Sequence, residues 1–335
     1  LAGKLYTAEE SVKNRFVSFV AAVGVVVTAP AVKAQHYPNR NVTMIVPYPA
    51  GGPTDETARI VAQSLSNQLK QSFIVEDIGG GGSIIGSEKV ARATPDGYTL
   101  LVHNLQISAN VTLYKALPFD TLKVFAPVML INRNPLILVG RNTLVPNTLK
   151  DLVSLMKQEP MKAAIPGYGT TGHLATTLFA QEAGISLNQI PYRGAAPALT
   201  DLLGGQIDLF FATPQSVVQQ VATGALKAYG VTSREKLAEF PTADSFPGMF
   251  GPKLDVVYWQ AMFAPARTPD LVIDTLNSAL KNTVADPALV KLWATQDVSV
   301  FPPDQRSPAA ASVLLKSEIV RWSQVIRDNN IHIEQ

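Results

Sequence analysis

Val42-Thr43-Met44-Ile45-Val46-Pro47-Tyr48-Pro49-Ala50-Gly51-Gly52-Pro53-Thr54-Asp55 is the stretch that decides the fold class. Its first five residues are β-branched or apolar and read as a strand. After the Pro/Gly turn, Ala58, Val61, Leu65 and Leu69 recur at helical spacing over residues 54–69, and 73–76 is again a short strand. That is a β-α-β unit. The pattern repeats: 83–93 reads as a helix, Pro95-Asp96-Gly97 as a turn and 99–102 as a third strand. Strands at 136–139, 163–165, 189–192, 207–211 and 226–231 follow. Helices at 149–157, 173–183, 195–203 and 216–223 separate them. Alternation of this kind predicts the α/β class, with mostly parallel sheets flanked by helices.

The aromatic and β-branched run at 254–264 precedes helices at 269–285, 287–294 and 308–328. No Gly/Ser/Pro-rich linker divides the chain, so two lobes that the chain crosses more than once are expected. The crossings fall near 127–138 and 256–263. The expected division is 1–34 as an N-terminal extension, 35–137 with 258–335 as one lobe, and 138–257 as the other.

Composition excludes several function classes. The 335 residues include 28 Lys+Arg, 26 Asp+Glu and no cysteine, for a formal net charge of +2. Such a balance lacks the basic field of a nucleic-acid binder. Without cysteine there is no thiolate nucleophile, Fe-S cluster or disulfide. Near the N-terminus, Lys13-Asn14-Arg15 precedes the apolar segment 16–29, and Val32-Lys33-Ala34 offers a small-residue cleavage site before Gln35. This predicts a cleaved secretory signal, with residues 1–11 as an extended start. The mature chain would carry 24 basic and 24 acidic residues. No later stretch approaches 18 uninterrupted apolar residues, so a soluble mature protein is expected.

The turn from Tyr48 through Ala50, Gly51 and Gly52 to Thr54 and Asp55 leads from a strand's carboxyl end into a helix. Backbone N–H groups and the positive end of the helix dipole make such a turn a seat for an anion. No Gly-Lys-Ser/Thr occurs here, so a carboxylate suits it better than a phosphate. The same residues equally suit a plain helix start, capped by Thr54 or Asp55.

Gly167-Tyr168-Gly169-Thr170-Thr171-Gly172 is a G-x-G-x-x-G between a strand and a helix that begins near His173. It reads as a second anion seat or as a dinucleotide fingerprint. Arg193, about 20 residues on, stands where an acidic residue would mark NAD, which would point to NADP. Pro191-Tyr192-Arg193-Gly194 follows a further strand, so Arg193 is a candidate ligand donor. Asp208, after Gly204-Gly205-Gln206-Ile207, either braces a loop or accepts from a ligand amine or hydroxyl. His103 closes the third strand at the ligand-binding edge and is another candidate. Catalytic machinery is thin: the four histidines form no H-E-x-x-H pair, and Gly82-Ser83-Ile84-Ile85-Gly86 misses G-x-S-x-G by one residue. No cofactor, metal site or catalytic residue is assigned.

Taken in order, the segments 42–55 and 79–86, Thr94-Pro95-Asp96-Gly97-Tyr98-Thr99-Leu100, Pro191-Tyr192-Arg193-Gly194 and Leu202-Leu203-Gly204-Gly205-Gln206-Ile207-Asp208 resemble the Bug-type extracytoplasmic solute receptors. These are the binding components of tripartite tricarboxylate transporters. The resemblance runs from about Tyr37 to the C-terminus. It implies a two-lobed, type II-like periplasmic binding protein that closes on a small carboxylic acid and delivers it to membrane permease subunits. It also implies that loops 48–55 and 167–173 grip a ligand carboxylate, and that 102–106 helps select the ligand. A monomeric, non-enzymatic receptor for a mono- or dicarboxylate or an acidic amino acid is therefore expected, with citrate disfavoured by its three charges. The alternatives are an NADP-binding α/β oxidoreductase using 167–172, and a ligand sensor for a membrane signalling partner.

Overall fold

The computed structural model describes residues 37–333, so the expected export signal and the cut before Gln35 lie outside the described residues. Twelve strands are present: β1 (Val42–Val46), β2 (Phe73–Asp77), β3 (Thr99–Asn104), β4 (Phe125–Pro135), β5 (Ile137–Arg141), β6 (Met161–Ile165), β7 (Leu187–Pro191), β8 (Leu209–Ala212), β9 (Leu226–Val231), β10 (Asp244–Ser245), β11 (Val257–Pro265) and β12 (Ser299–Val300). They form two six-stranded sheets, ordered β12-β4-β11-β3-β1-β2 and β10-β9-β5-β8-β6-β7.

Both sheets are mixed, and in each most strands run one way, as expected, with a minority inserted antiparallel. β1 lies parallel between β2 and β3, and β6 lies parallel between β7 and β8, as alternating strands and helices dictate. The segments that pass between the sheets break the rule. β4 runs into β5 with only Leu136 between them, and β11 re-enters the first sheet antiparallel to both β3 and β4. In the second sheet β5 runs antiparallel to β8 and β9.

The two passages are bonded to each other through Thr232, which is fully buried. Its Oγ1 donates to Val256 O (2.6 Å) and accepts the Leu136 N–H (2.8 Å). Its backbone N–H donates to Leu136 O (2.9 Å), and its carbonyl accepts the Val256 N–H (3.1 Å).

Burial follows the period of two. On one face of the first sheet Met44, Val46, Leu100, Val102 and Met262 pack with Ala58, Val61 and Leu65 of helix Pro53–Leu69. On the other face Ile45, Leu101 and Phe263 join a cluster that continues into Leu138, Leu209 and Phe211 of the second sheet and Leu315, Trp322 and Ile326 of helix Pro308–Asp328. One continuous core thus supports both sheets. No helix of the described residues is long and apolar enough to cross a membrane.

Candidate functional site

The carboxyl ends of β1, β3, β6 and β8 converge on one cleft, lined from the first sheet by Tyr48, Pro49, Gly52, Thr54, Asn104 and Tyr258. The second sheet contributes Leu136, Pro166, Thr170, Thr171, Gly172, Gly194, Ala195 and Phe210 through Thr213. A second groove adjoins it and holds Gly79 through Ser83, Gln106, Tyr168, Tyr192 and Arg193.

The first loop is shaped by its own carboxylate. Gly51 adopts φ +80, a conformation that glycine enters freely. Its N–H donates to Asp55 Oδ2 (2.8 Å). Asp55 Oδ1 pairs with Arg59 Nε at 2.6 Å, and Arg59 continues to Asp77 at 2.7 Å. Asp55 is therefore buried behind the loop and braces it, away from the cleft lining. Helix Pro53–Leu69 begins with Pro53 in its first turn, and no side chain caps Gly52. Neither Thr54 nor Asp55 is a cap: the Thr54 hydroxyl meets Tyr258 OH at 2.8 Å and accepts from Asn104 Nδ2 at 3.1 Å.

In the second loop Gly167 and Gly169 have φ +123 and +77. Thr170 is the N-cap of helix Thr171–Ala183: its Oγ1 accepts the His173 N–H (3.3 Å) and donates to Gly167 O (2.7 Å). His173 Nδ1 accepts the Gly169 N–H (3.1 Å), and burial pushes its pKa down to about 4, so the ring is a neutral acceptor that fixes the loop. Thr171 lines the cleft at 2% exposure, and its Oγ1 has no partner.

The dinucleotide reading of this turn fails on space. That fingerprint needs its middle glycine open to a pyrophosphate. A Cβ on Gly169 would instead lie 3.0 Å from Leu113 Cδ1 and 3.2 Å from Gln106 Nε2, both on helix Gln106–Leu113 of the first sheet. Gln106 Nε2 also donates to Tyr168 O (3.1 Å), so the two halves touch at this point.

His103 is fully buried behind Tyr48. Its Nδ1 lies 3.1 Å from Tyr48 OH, 2.8 Å from Asn104 N and 3.0 Å from Asn104 O, and its Nε2 lies 3.1 Å from Ser83 Oγ. Burial lowers its pKa to about 3, so it supports Tyr48 as a neutral ring and does not reach the cleft.

Of the remaining residues singled out from sequence, Tyr48, Gly52, Thr54, Thr170 and Thr171 meet at the cleft. Ala50 and Gly51 sit at the exposed loop tip, and Gly169 lies against the helix opposite. Tyr168 and Arg193 line the adjoining groove. Asp208 is removed from the site altogether. It precedes β8 at the end of that strand remote from the cleft, where it accepts from Arg141 Nε and the Lys162 N–H, both at 2.9 Å. Its role is to brace β5, β6 and β8.

Sequence reasoning missed Leu136, Tyr258 and Phe210 through Thr213, whereas Asn104 falls in 102–106, the segment that the resemblance implies helps select the ligand. Asn104 ends β3, and Phe210 through Thr213 close β8, so their position at strand ends was the available signal. Leu136 and Tyr258 belong to the passages between the sheets and had no signal. Among the described residues no group of three or more His, Asp or Glu is placed to hold a metal.

Two mixed sheets with helices on their faces and a cleft at their carboxyl edges define a two-domain solute-binding fold. Residues 57–331 match the family described as the tripartite tricarboxylate transporter family receptor, and the chain belongs to that family. It is 31% identical to BugT of Bordetella pertussis over 320 residues, covering 94% of this chain and 96% of that protein. The fold matches the periplasmic binding protein BugD with a TM-score of 0.85 and 33% identity, over 89% of this chain and all of that one. MatC from Rhodopseudomonas palustris with bound malate matches with a TM-score of 0.82 and 29% identity, over 87% of this chain and all of that one. As a member of this family the chain is a periplasmic solute-binding receptor. An NADP-dependent oxidoreductase is not favoured.

Proposed function

We propose that the cleft closes on one small organic acid and that the loaded receptor delivers it to the membrane subunits of a tripartite tricarboxylate transporter. One observation carries the reading: helices Pro53–Leu69 and Thr171–Ala183 both begin at the same cleft. Each helix start presents N–H donors and about half a positive charge, so a carboxylate between them is held from two sides without a basic side chain. Tyr48, Gly52 and Thr54 form one jaw, and Thr170, Thr171 and Gly172 the other, with Asn104 and Tyr258 at the base. MatC, the relative with bound malate, supports a carboxylate guest.

In this proposal residues 35–137 with 258–335 move as one lobe and 138–257 as the other, hinging where the chain passes between the sheets. Closure desolvates the carboxylate among donors already in place. The role is binding and release with no chemical step, by a monomer exported through a signal cut before Gln35. Purification of the exported protein, identification of a co-purified acid by mass spectrometry and calorimetric titration with that acid test the reading. An exported protein that carries no acid and gives no binding heat with carboxylates sinks it.

A further inference from the structure

Helix Gln106–Leu113 divides its side-chain amides between the two halves of the molecule. Asn110 works inside the first half: its Nδ2 donates to Gly82 O (2.9 Å) and to Ser83 Oγ (3.1 Å). Gly82, with φ +61, also lies against the Tyr114 hydroxyl, where a Cβ would overlap the oxygen. Loop 79–83, which lines the groove beside the cleft, is thus held by its own half.

Gln106 is bonded differently. Its Nε2 donates one N–H to Gly82 O (3.2 Å) and the other to Tyr168 O (3.1 Å), on the opposite side of the groove. Among the described residues this is the one side-chain hydrogen bond that joins loop 167–172 to the first half. The amide cannot turn over, because its oxygen would then face two carbonyl oxygens. Gln106 is 1% exposed and its Oε1 has no partner, so all the bonding of this side chain rests on the two N–H groups. A Cβ on Gly169 would come within 3.2 Å of the same nitrogen and 3.0 Å of Leu113 Cδ1. The second loop therefore lands on this helix, with the Gln106 amide as its polar tie.

Resting on the receptor reading above, we infer that Gln106 is the clasp of the closed receptor: a positioning residue that ties the Tyr168 carbonyl of the second half to the groove-lining Gly82 of the first. One nitrogen serves both carbonyls, so the groove wall and the opposing loop are locked into a single register.

The test needs no ligand. The chain contains no cysteine, so spin labels at Lys115→Cys and Thr200→Cys, exposed positions on opposite halves, report the separation of the halves by pulsed electron double resonance. Two variants are compared with the labelled parent. Gln106→Met keeps the length of the side chain and removes both donors, and Gln106→Ser folds without a long side chain and is too short to reach either carbonyl. In each the ratio of closed to open molecules is expected to fall about tenfold, the worth of one hydrogen bond that exists only when the halves meet. A distance distribution unchanged from the parent in either folded variant overturns the inference. A lower melting temperature with unchanged separation does so too, since Gln106 would then only brace loop 79–83. The receptor reading is judged separately by whether a small acid co-purifies, so either can fail without the other.

Discussion

Replacing Gly169 with alanine separates two contributions that act in different states of the receptor. Gly169 has φ +77, where an L-residue costs about 1–2 kcal/mol whether the cleft is open or closed. For about 300 ordered residues the unfolding entropy is on the order of 0.6 kcal/mol/K, so this strain lowers the melting temperature by about 2–3 °C. The second contribution exists only when the halves meet. The new Cβ would lie 3.0 Å from Leu113 Cδ1, 3.2 Å from Gln106 Nε2 and 3.4 Å from Asn110 Oδ1, all on the helix that faces the loop. Overpacking of this kind costs about 1–3 kcal/mol, and here the cost falls on closure, which weakens ligand binding roughly tenfold. Differential scanning fluorimetry without ligand and calorimetry with the co-purified acid read the two effects separately. A variant that melts lower yet binds with unchanged affinity would refute the view that this contact belongs to the closed, ligand-holding state.

Thr232→Val keeps the shape of the side chain but leaves the Leu136 N–H without its acceptor and removes one donor to Val256 O. A loss of about 2–4 kcal/mol is expected by urea denaturation, and a change under 0.5 kcal/mol would disprove the bonding described. The neutral rings of His103 and His173, lowered by burial to about 3 and about 4, take up protons near pH 6.5 once the chain unfolds. Stability is then full above about pH 6.5 and is lost as pH falls toward 4, because the unfolded state binds more protons. The melting temperature of His173→Gln should therefore fall less between pH 7 and pH 5 than that of the parent, and equal slopes contradict the assignment. Citrate is expected to give no thermal shift, since its three charges meet no cationic side chain in the cleft, and a large shift with citrate alone would overturn the charge argument.

The β-α-β unit around Val42 through Leu69 was legible because every local signal agreed: β-branched residues, a Pro/Gly turn, Pro53 in the first turn of the helix and apolar residues at helical spacing. β4 was not. Pro127, Arg133 and Pro135 interrupt its pattern, and its register against β11 slips twice, between Gln260 and Ala261 and between Met262 and Phe263, the latter beside Pro127. The antiparallel insertion of β11 is a property of where the chain returns, which local periodicity does not encode. The site divides in the same way. Loops 48–55 and 167–172 announce themselves through glycines, whereas the role of Asp208 depends on Arg141, 67 residues away in sequence. His103 and Asp55 lie near the carboxyl ends of β3 and β1 but are buried behind the cleft lining, a distinction that local sequence does not encode.

The bonds through Thr232 bear on mechanics. Two chain segments that pass side by side and are fastened to each other define a line, and a line permits rotation about itself while resisting shear and twist. The closure proposed above then has essentially one degree of freedom, and the jaws return to the same register at each stroke. A receptor restricted to one coordinate has few open arrangements to surrender when it closes. Little of the modest attraction between a single carboxylate and two helix starts is then consumed in ordering the protein.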